Sequence, residues 1–207
     1  MRLASAAAAV MFFAGFFALG WSVTHHGEPA ALVAWEHAMH GDSALIAWWL
    51  TWACYPYVLA PIAAVLLVIA WRVPAWRARS VFSVVVLLLC WQAADFAQHY
   101  FMRPRRLDWV VRHESAFSYP SSHAAIAVGF YALWAAMLYA SGLPGRVRTL
   151  AAGGLVVFTI AICWSRLALG AHYATDLIGG ALLALAIVSA AWVIVPVKVF
   201  APSAARL

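Results

Sequence analysis

An all-α membrane protein, a bundle of six spanning helices with a polar site at one mouth, is the fold class the sequence predicts. Three observations carry this. Of 207 residues, 67% are hydrophobic and only 10% are charged, with a mean hydropathy of +0.89, a composition outside the range of soluble domains. Apolar runs recur along the whole chain, each near the roughly 20 residues that a bilayer span needs. Charge is also segregated. With six spans, one side takes Arg2, Arg72, Arg77, Arg79, Arg146, Arg148, Lys198 and Arg206, which is 8 of the 13 basic residues, and no acid. All seven acids and all eight histidines fall on the other side or in the membrane near it. The positive-inside rule then puts both termini in the cytoplasm and the histidine-rich face outside, or in the periplasm of a Gram-negative cell.

The elements follow in order. Residues 4–21 form the first apolar run, behind Met1 and Arg2. The run is long for a cleaved leader and Phe17–Gly20 matches a cleavage site weakly, so a retained helix is expected. Residues 23–43 make the first loop, with His25, His26, Glu28, Glu36, His37, His40 and Asp42. Within it, ALVAWEHAM reads as a short interfacial helix with Trp35 at headgroup level. Glu36, His37 and His40 are metal-ligand types, but a polar loop on the membrane surface is the simpler reading. The second run, 44–71, holds Pro56 and Pro61, which should kink it.

RVPAWRAR is expected to be a tight basic turn before the third run, 80–97. A polar stretch, 98–120, follows. The fourth run is 121–141, the fifth 149–164, and the sixth 173–196 after a turn at Gly170. Gly153-Gly154 and Gly179-Gly180 suit close approach of helices. Cys54, Cys90 and Cys163 sit inside apolar runs, without metal spacing or a disulfide framework. The +6 net charge is spread over loop ends as topology demands, so nucleic acid is excluded as a partner. Nothing in the chain bears on oligomeric state, and 1–207 reads as a single domain.

Three patches on the histidine-rich face carry the chemistry. The strongest is Ser165–Asp176, SRLALGAHYATD. Each ionisable group there costs roughly 2.5–3.5 kcal/mol at the centre of a bilayer, less near its edge, so the default reading is a site. If the chain is helical from Tyr173, His172 and Asp176 fall at i and i+4 on one face. The carboxylate then fixes the imidazole tautomer and leaves the other nitrogen as base, nucleophile or ligand. Arg166 offers a planar fork suited to phosphate. A snorkelling arginine and a His–Asp pair that merely staples a helix is the plain alternative. The second patch is Pro120-Ser121-Ser122-His123, where Ser121 or Ser122 can cap a helix whose free N–H groups favour an anion. The third is QHYFMRPRR, Gln98 to Arg106. No third ligand is spaced for zinc beside His172 and Asp176.

These motifs resemble those of the type 2 phosphatidic acid phosphatases, which are related to vanadium haloperoxidases. That family carries K-x6-R-P, then P-S-G-H, then S-R-x5-H-x3-D. Ser165, Arg166, His172 and Asp176 match the third motif in full. Pro120, Ser121 and His123 match the second, with Ser122 in place of glycine. The first is matched in part: Gln98 stands where the family has lysine, Arg105 takes the arginine position, and Arg106 stands where proline is usual. Arg103-Pro104 is similar to the R-P-R-P form of that motif. The resemblance covers about residues 44–196.

It implies that His172 forms a phosphohistidine, oriented by Asp176, and that His123 protonates the leaving oxygen and then activates water. It implies that Arg105, Arg166, Ser121 and the backbone at Ser122 hold the phosphoryl oxygens, with Gln98 and Arg103 near a distal phosphate. No metal and no cofactor are needed in that scheme, because the arginines supply the charge stabilisation. The expected substrate is a lipid phosphate or diphosphate reached laterally through the bilayer. The short six-span form is most similar to undecaprenyl-diphosphatases of the bacterial inner membrane, which recycle the carrier lipid of cell-wall synthesis; the arginines at 103, 106 and 112 would hold a second phosphate. Phosphatases of phosphatidylglycerol phosphate, phosphatidic acid or lipid A are the nearest alternatives. A transporter or lipid flippase, with His172–Asp176 as a proton relay, is the alternative of a different class.

Overall fold

The computed structural model describes residues 2–39, 43–105 and 116–195, and among these the regular structure is entirely helical. Among the described residues nine α-helices run in order: α1 (Arg2–His26), α2 (Ala30–His37), α3 (Ala44–Thr51), α4 (Pro56–Arg72), α5 (Pro74–Phe101), α6 (Ser122–Ile126), α7 (Leu133–Tyr139), α8 (Gly145–Ala168) and α9 (Ala174–Ile194). A π-helical segment, Ala127–Ala132, joins α6 to α7, so Ser122–Tyr139 forms one span. Five helices are long and apolar enough to cross a membrane among the described residues. The pair Ala44–Cys54 and Pro56–Arg72, bent by 45°, gives a sixth when counted as one broken span.

The six expected runs are therefore six spans, with three differences in detail. The second run bends at Tyr55, not at Pro61, which lies within α4. Proline at 56 pushes the preceding residue out of the helical region, and Tyr55 is extended at φ −84° and ψ 151°. The basic stretch is not a loop. Only Val73 separates α4 from α5, and Pro74 opens a helix that carries Arg77 and Arg79. The glycine pairs also differ. A Cβ at Gly180 would overlap the Ser121 carbonyl, so α9 and α6 meet there as closely as backbones allow, whereas Gly153 and Gly154 face open space.

Large side chains such as Val10, Met11, Val65, Val68, Val157 and Ile160 point outward and are exposed, which suits lipid and not water. Inside, α1 packs along α9. Phe16 of α1 stacks on Tyr119 at 5.6 Å, Phe101 meets Tyr119 edge-on at 5.0 Å, and Tyr119 Oη donates to the Phe16 carbonyl at 2.6 Å. The first helix is thus part of the core beneath the site. The three cysteines are free, with Cys54 and Cys90 buried and Cys163 half-buried. Alternation of the spans brings the ends of α1, α5 and α8 and the starts of α6 and α9 to one mouth.

Candidate active site

Asp176 is the third residue of α9 and is fully buried. Its Oδ2 accepts the backbone N–H of Tyr173, the N-cap residue, at 2.9 Å, so the carboxylate is held by the helix it starts. The Ser118 hydroxyl also donates to Oδ2, and Arg103 Nη1 approaches Oδ1 at 2.5 Å. His172 Nδ1 lies 3.3 Å from Oδ2. The expected pairing of 172 with 176 is present, but His172 precedes the helix. It stands in the turn made by Gly170, at φ +64°, a conformation glycine adopts without strain.

The other face of the imidazole meets Arg105, whose Nη1 is 3.1 Å from His172 Nε2 and also donates to the Ala171 carbonyl at 2.9 Å. Arginine has only protons to give. Nε2 is therefore the acceptor, and the ring proton belongs on Nδ1, facing Asp176. His172 is 1% exposed, and its pKa is pushed down to about 4, first by burial and then by Arg105, with Asp176 opposing. The result is a neutral imidazole with its Nε2 lone pair turned toward a guanidinium.

Arg166, in the last turn of α8, is fully buried and its Nη1 donates to the Thr51 hydroxyl. It stands near enough to add to the positive field on His172. Ser121 caps α6, its Oγ accepting the Ala124 N–H at 3.4 Å, and its own N–H donates to the Asp176 carbonyl at 3.0 Å. This last bond ties the second motif directly to the third. His123 is buried in the first turn of α6, edge-on to the Tyr55 ring at 5.3 Å. Ser122, His123, Arg105, Gln98 and Asp95 line one cavity of about 250 Å³. Arg105 therefore connects the two histidines: it lines the cavity of one and touches the ring of the other. A larger cavity of about 610 Å³ lies deeper, among Ile62, Leu66, Phe130 and Trp134; its lining is apolar and it holds none of this chemistry.

Two expected phosphate ligands have other partners. Arg103 is buried between carboxylates, with Nη2 on Glu28 Oε2 at 2.8 Å and Nη1 on Asp176 and on Thr175 Oγ1 at 2.9 Å, and it stacks over Tyr173 at 4.2 Å. Two buried carboxylates outbid a solvent-facing role, because a buried cation needs paired charge. Gln98 lines the cavity, but its Nε2 donates to the Pro120 carbonyl at 2.9 Å. It braces the second motif. Arg106 and Arg112 lie outside the described residues.

The first loop forms the expected short helix, α2, but its two acids turn inward. Glu36 does not stand in an open polar loop, and among the described residues it joins no metal cluster; His40 lies outside them. Glu36 is fully buried, and its Oε1 accepts the Ala174 N–H at 2.5 Å. Glu28 Oε1 accepts the Thr175 N–H at 3.2 Å. Their only sequence signal is two acids in an otherwise acid-poor chain. Ser118, Thr51 and Thr175 had no signal at all. Among the described residues, no group of three His, Cys, Asp or Glu side chains is placed to hold a metal ion.

A family profile, the PAP2 superfamily, matches residues 91–200, which span all three motifs. The chain belongs to the PAP2 superfamily. With that membership this PAP2 chain is a phosphatase. A crystal structure described as the first transmembrane PAP2-type phosphatidylglycerolphosphate phosphatase, from Bacillus subtilis, has the same fold, with a TM-score of 0.72 over 89% of this chain and 95% of that one, at 20% identity. No protein of curated function matches this PAP2 chain in sequence.

Proposed function

We propose that this PAP2 phosphatase hydrolyses a lipid diphosphate, a polyprenyl diphosphate such as undecaprenyl diphosphate, to the monophosphate at the outer face of a bacterial inner membrane. The observation that carries the chemistry is the two-sided setting of His172, with Nδ1 toward Asp176 and Nε2 toward Arg105. In the first step His172 Nε2 attacks the terminal phosphorus, and the bond from phosphorus to the bridging oxygen breaks. His123 gives a proton to that oxygen, and the lipid monophosphate leaves. In the second step His123 takes a proton from water, whose oxygen attacks the phosphohistidine, and inorganic phosphate leaves with His172 restored. Arg105, Arg166, Ser121 and the backbone N–H of Ser122 hold the phosphoryl oxygens as charge builds. Asp176 stabilises the positive charge on the ring while the P–N bond exists.

Orientation follows from charge: the site mouth faces outside and both termini face the cytoplasm, because basic ends gather at the opposite face. The clustering of ionisable groups at one mouth favours an enzyme over a transporter, whose site belongs near the midplane. A phosphatase of phosphatidylglycerol phosphate is the second reading. It is favoured by the engagement of Arg103 with carboxylates, which removes one expected ligand of a second phosphate. The test is phosphate release by the purified protein from a panel of lipid phosphates and diphosphates, with a chelator present. Preference for the polyprenyl diphosphate supports the first reading, and preference for phosphatidylglycerol phosphate the second. Activity lost to the chelator overturns the metal-free scheme.

A further inference from the structure

α1 ends at His26, and Gly27, at φ +76°, turns the chain back over the mouth of the bundle. A side chain at that φ would be strained, although space is open around it. The turn delivers Glu28 inward, with its side chain only 2% exposed. α2 then delivers Glu36. Together the two glutamates accept the N–H groups of Ala174 and Thr175, the first two residues of α9. Both lie outside the residues that the family profile matches. Glu28 does more than cap. Its Oε2 holds Arg103 Nη2 while Nη1 of the same guanidinium holds Asp176 Oδ1.

We propose that Glu28 is a positioning residue for the nucleophile: through Arg103 it sets the charge and geometry of Asp176, and so the strength of the Nδ1–H hydrogen bond that orients the His172 ring. The inference rests on the assignment of His172 as the group that attacks phosphorus. Glu28, Arg103 and Asp176 form a buried row with one net negative charge. With Glu28 present, Arg103 divides its fork, one nitrogen to each carboxylate. Asp176 Oδ2 is left to His172, Tyr173 N–H and the Ser118 hydroxyl. Without that charge the whole cation falls to Asp176, the row becomes neutral, and the carboxylate attracts the ring proton less. The fork is also released to turn and engage both oxygens, as arginine does with a lone carboxylate. The segment 27–36 is thus a strap between the first helix and the proton on His172 Nδ1.

The test pairs two readouts on the full-length protein in detergent. Ring ¹⁵N spectra, with the His172 signals identified by their loss in His172→Gln, report the Nδ1–H hydrogen bond without substrate. Steady-state phosphate release from the panel reports turnover. Glu28→Gln is expected to weaken the hydrogen bond from Nδ1–H to Asp176, read as a shift of the Nδ1 ring signal, and to lower kcat about tenfold with KM held within about twofold, as a displaced catalytic geometry does. Glu28→Asp, which keeps the charge, should recover part of both. Glu36→Gln, which touches α9 but not Arg103, should lower the melting temperature and leave the ring signals in place. Ring signals unchanged by Glu28→Gln, or a kcat loss that Glu36→Gln equals, would overturn the assignment. If the wild-type protein releases no phosphate from any lipid, the proposed function fails by itself, and the ring spectra still decide the role of Glu28.

Discussion

The two histidines of the site sit in unlike surroundings. His172 has both ring nitrogens engaged, one by a buried carboxylate and one by a guanidinium, and the carboxylate is itself held by a serine, a backbone N–H and an arginine. His123 stands on the wall of a cavity, braced by the edge of Tyr55 and by the first turn of α6. The difference suits their proposed roles. A nucleophile must present one lone pair along one line, so its ring is wired on both sides. An acid that becomes a base within one cycle must reach both the leaving oxygen and water, so it borders open volume.

The sharpest way to break that comparison is to remove each ring in turn and look for the covalent intermediate. His172→Ala is expected to lower kcat by about 10,000-fold or more, because an attacking group acts as a unit with its partners. No acid-labile phosphoprotein should form. His123→Ala is expected to lose about 100- to 10,000-fold. With a substrate whose leaving group needs no proton, however, it should still form the phosphoprotein and then stall, seen as a burst of released alcohol. Equal behaviour of the two variants in the burst assay would mean that the roles are wrongly divided.

A smaller effect separates the two glycine pairs. Gly180→Ala drives a methyl group into the Ser121 carbonyl and against Ala124. The expected loss is about 1–3 kcal/mol of stability, with a drop in activity, since Ser121 is tied to Asp176 through its backbone N–H. Gly153→Ala meets nothing within 4 Å and sits inside α8. It should be neutral or stabilising by roughly 0.5–1 kcal/mol, as alanine exceeds glycine within a helix. Thermal melting in detergent checks both. Equal shifts would mean that α6 and α9 are not in contact as described.

The same contrast explains what was legible in the sequence. Six spans follow from runs of apolar residues, which are a local property, and the alternation of their ends brings the motifs to one mouth. His172 and Asp176 were legible because their separation is four residues. Glu28 and Arg103 are 75 residues apart and Glu36 and Ala174 are 138 apart, so no spacing rule reaches them. The carboxylate partners of Arg103 were hidden for the same reason. An arginine beside a phosphate motif reads as an anion ligand until its two carboxylates are seen. The basic stretch at Arg77 and Arg79 read as a turn because charge suggested a loop, whereas Pro74 opens a helix that carries both.

The smallest effect concerns pH. Burial, then Arg105, hold the His172 pKa down at about 4, against an ordinary value near 6.5, while Asp176 pulls the other way. The folded protein therefore keeps Nε2 unprotonated across a window, from about 6.5 to about 4, in which an unfolded chain would bind a proton there. Two consequences share this sign. Stability from this group is complete above pH 6.5 and declines as pH falls toward 4, because only the unfolded state takes up the proton. The acid limb of kcat/KM that belongs to the nucleophile should likewise lie well below 6. Arg105→Gln removes a cation that holds the pKa down, so that limb should move up toward 6.5 as overall activity drops; Asp176→Asn removes the opposing carboxylate and should move it further down. A pH profile of kcat/KM for the three proteins checks the order. A nucleophile limb that stays near 6.5 in the wild-type protein, unmoved by Arg105→Gln, would mean that His172 is open to water and that the wired and open rings have been assigned the wrong way round.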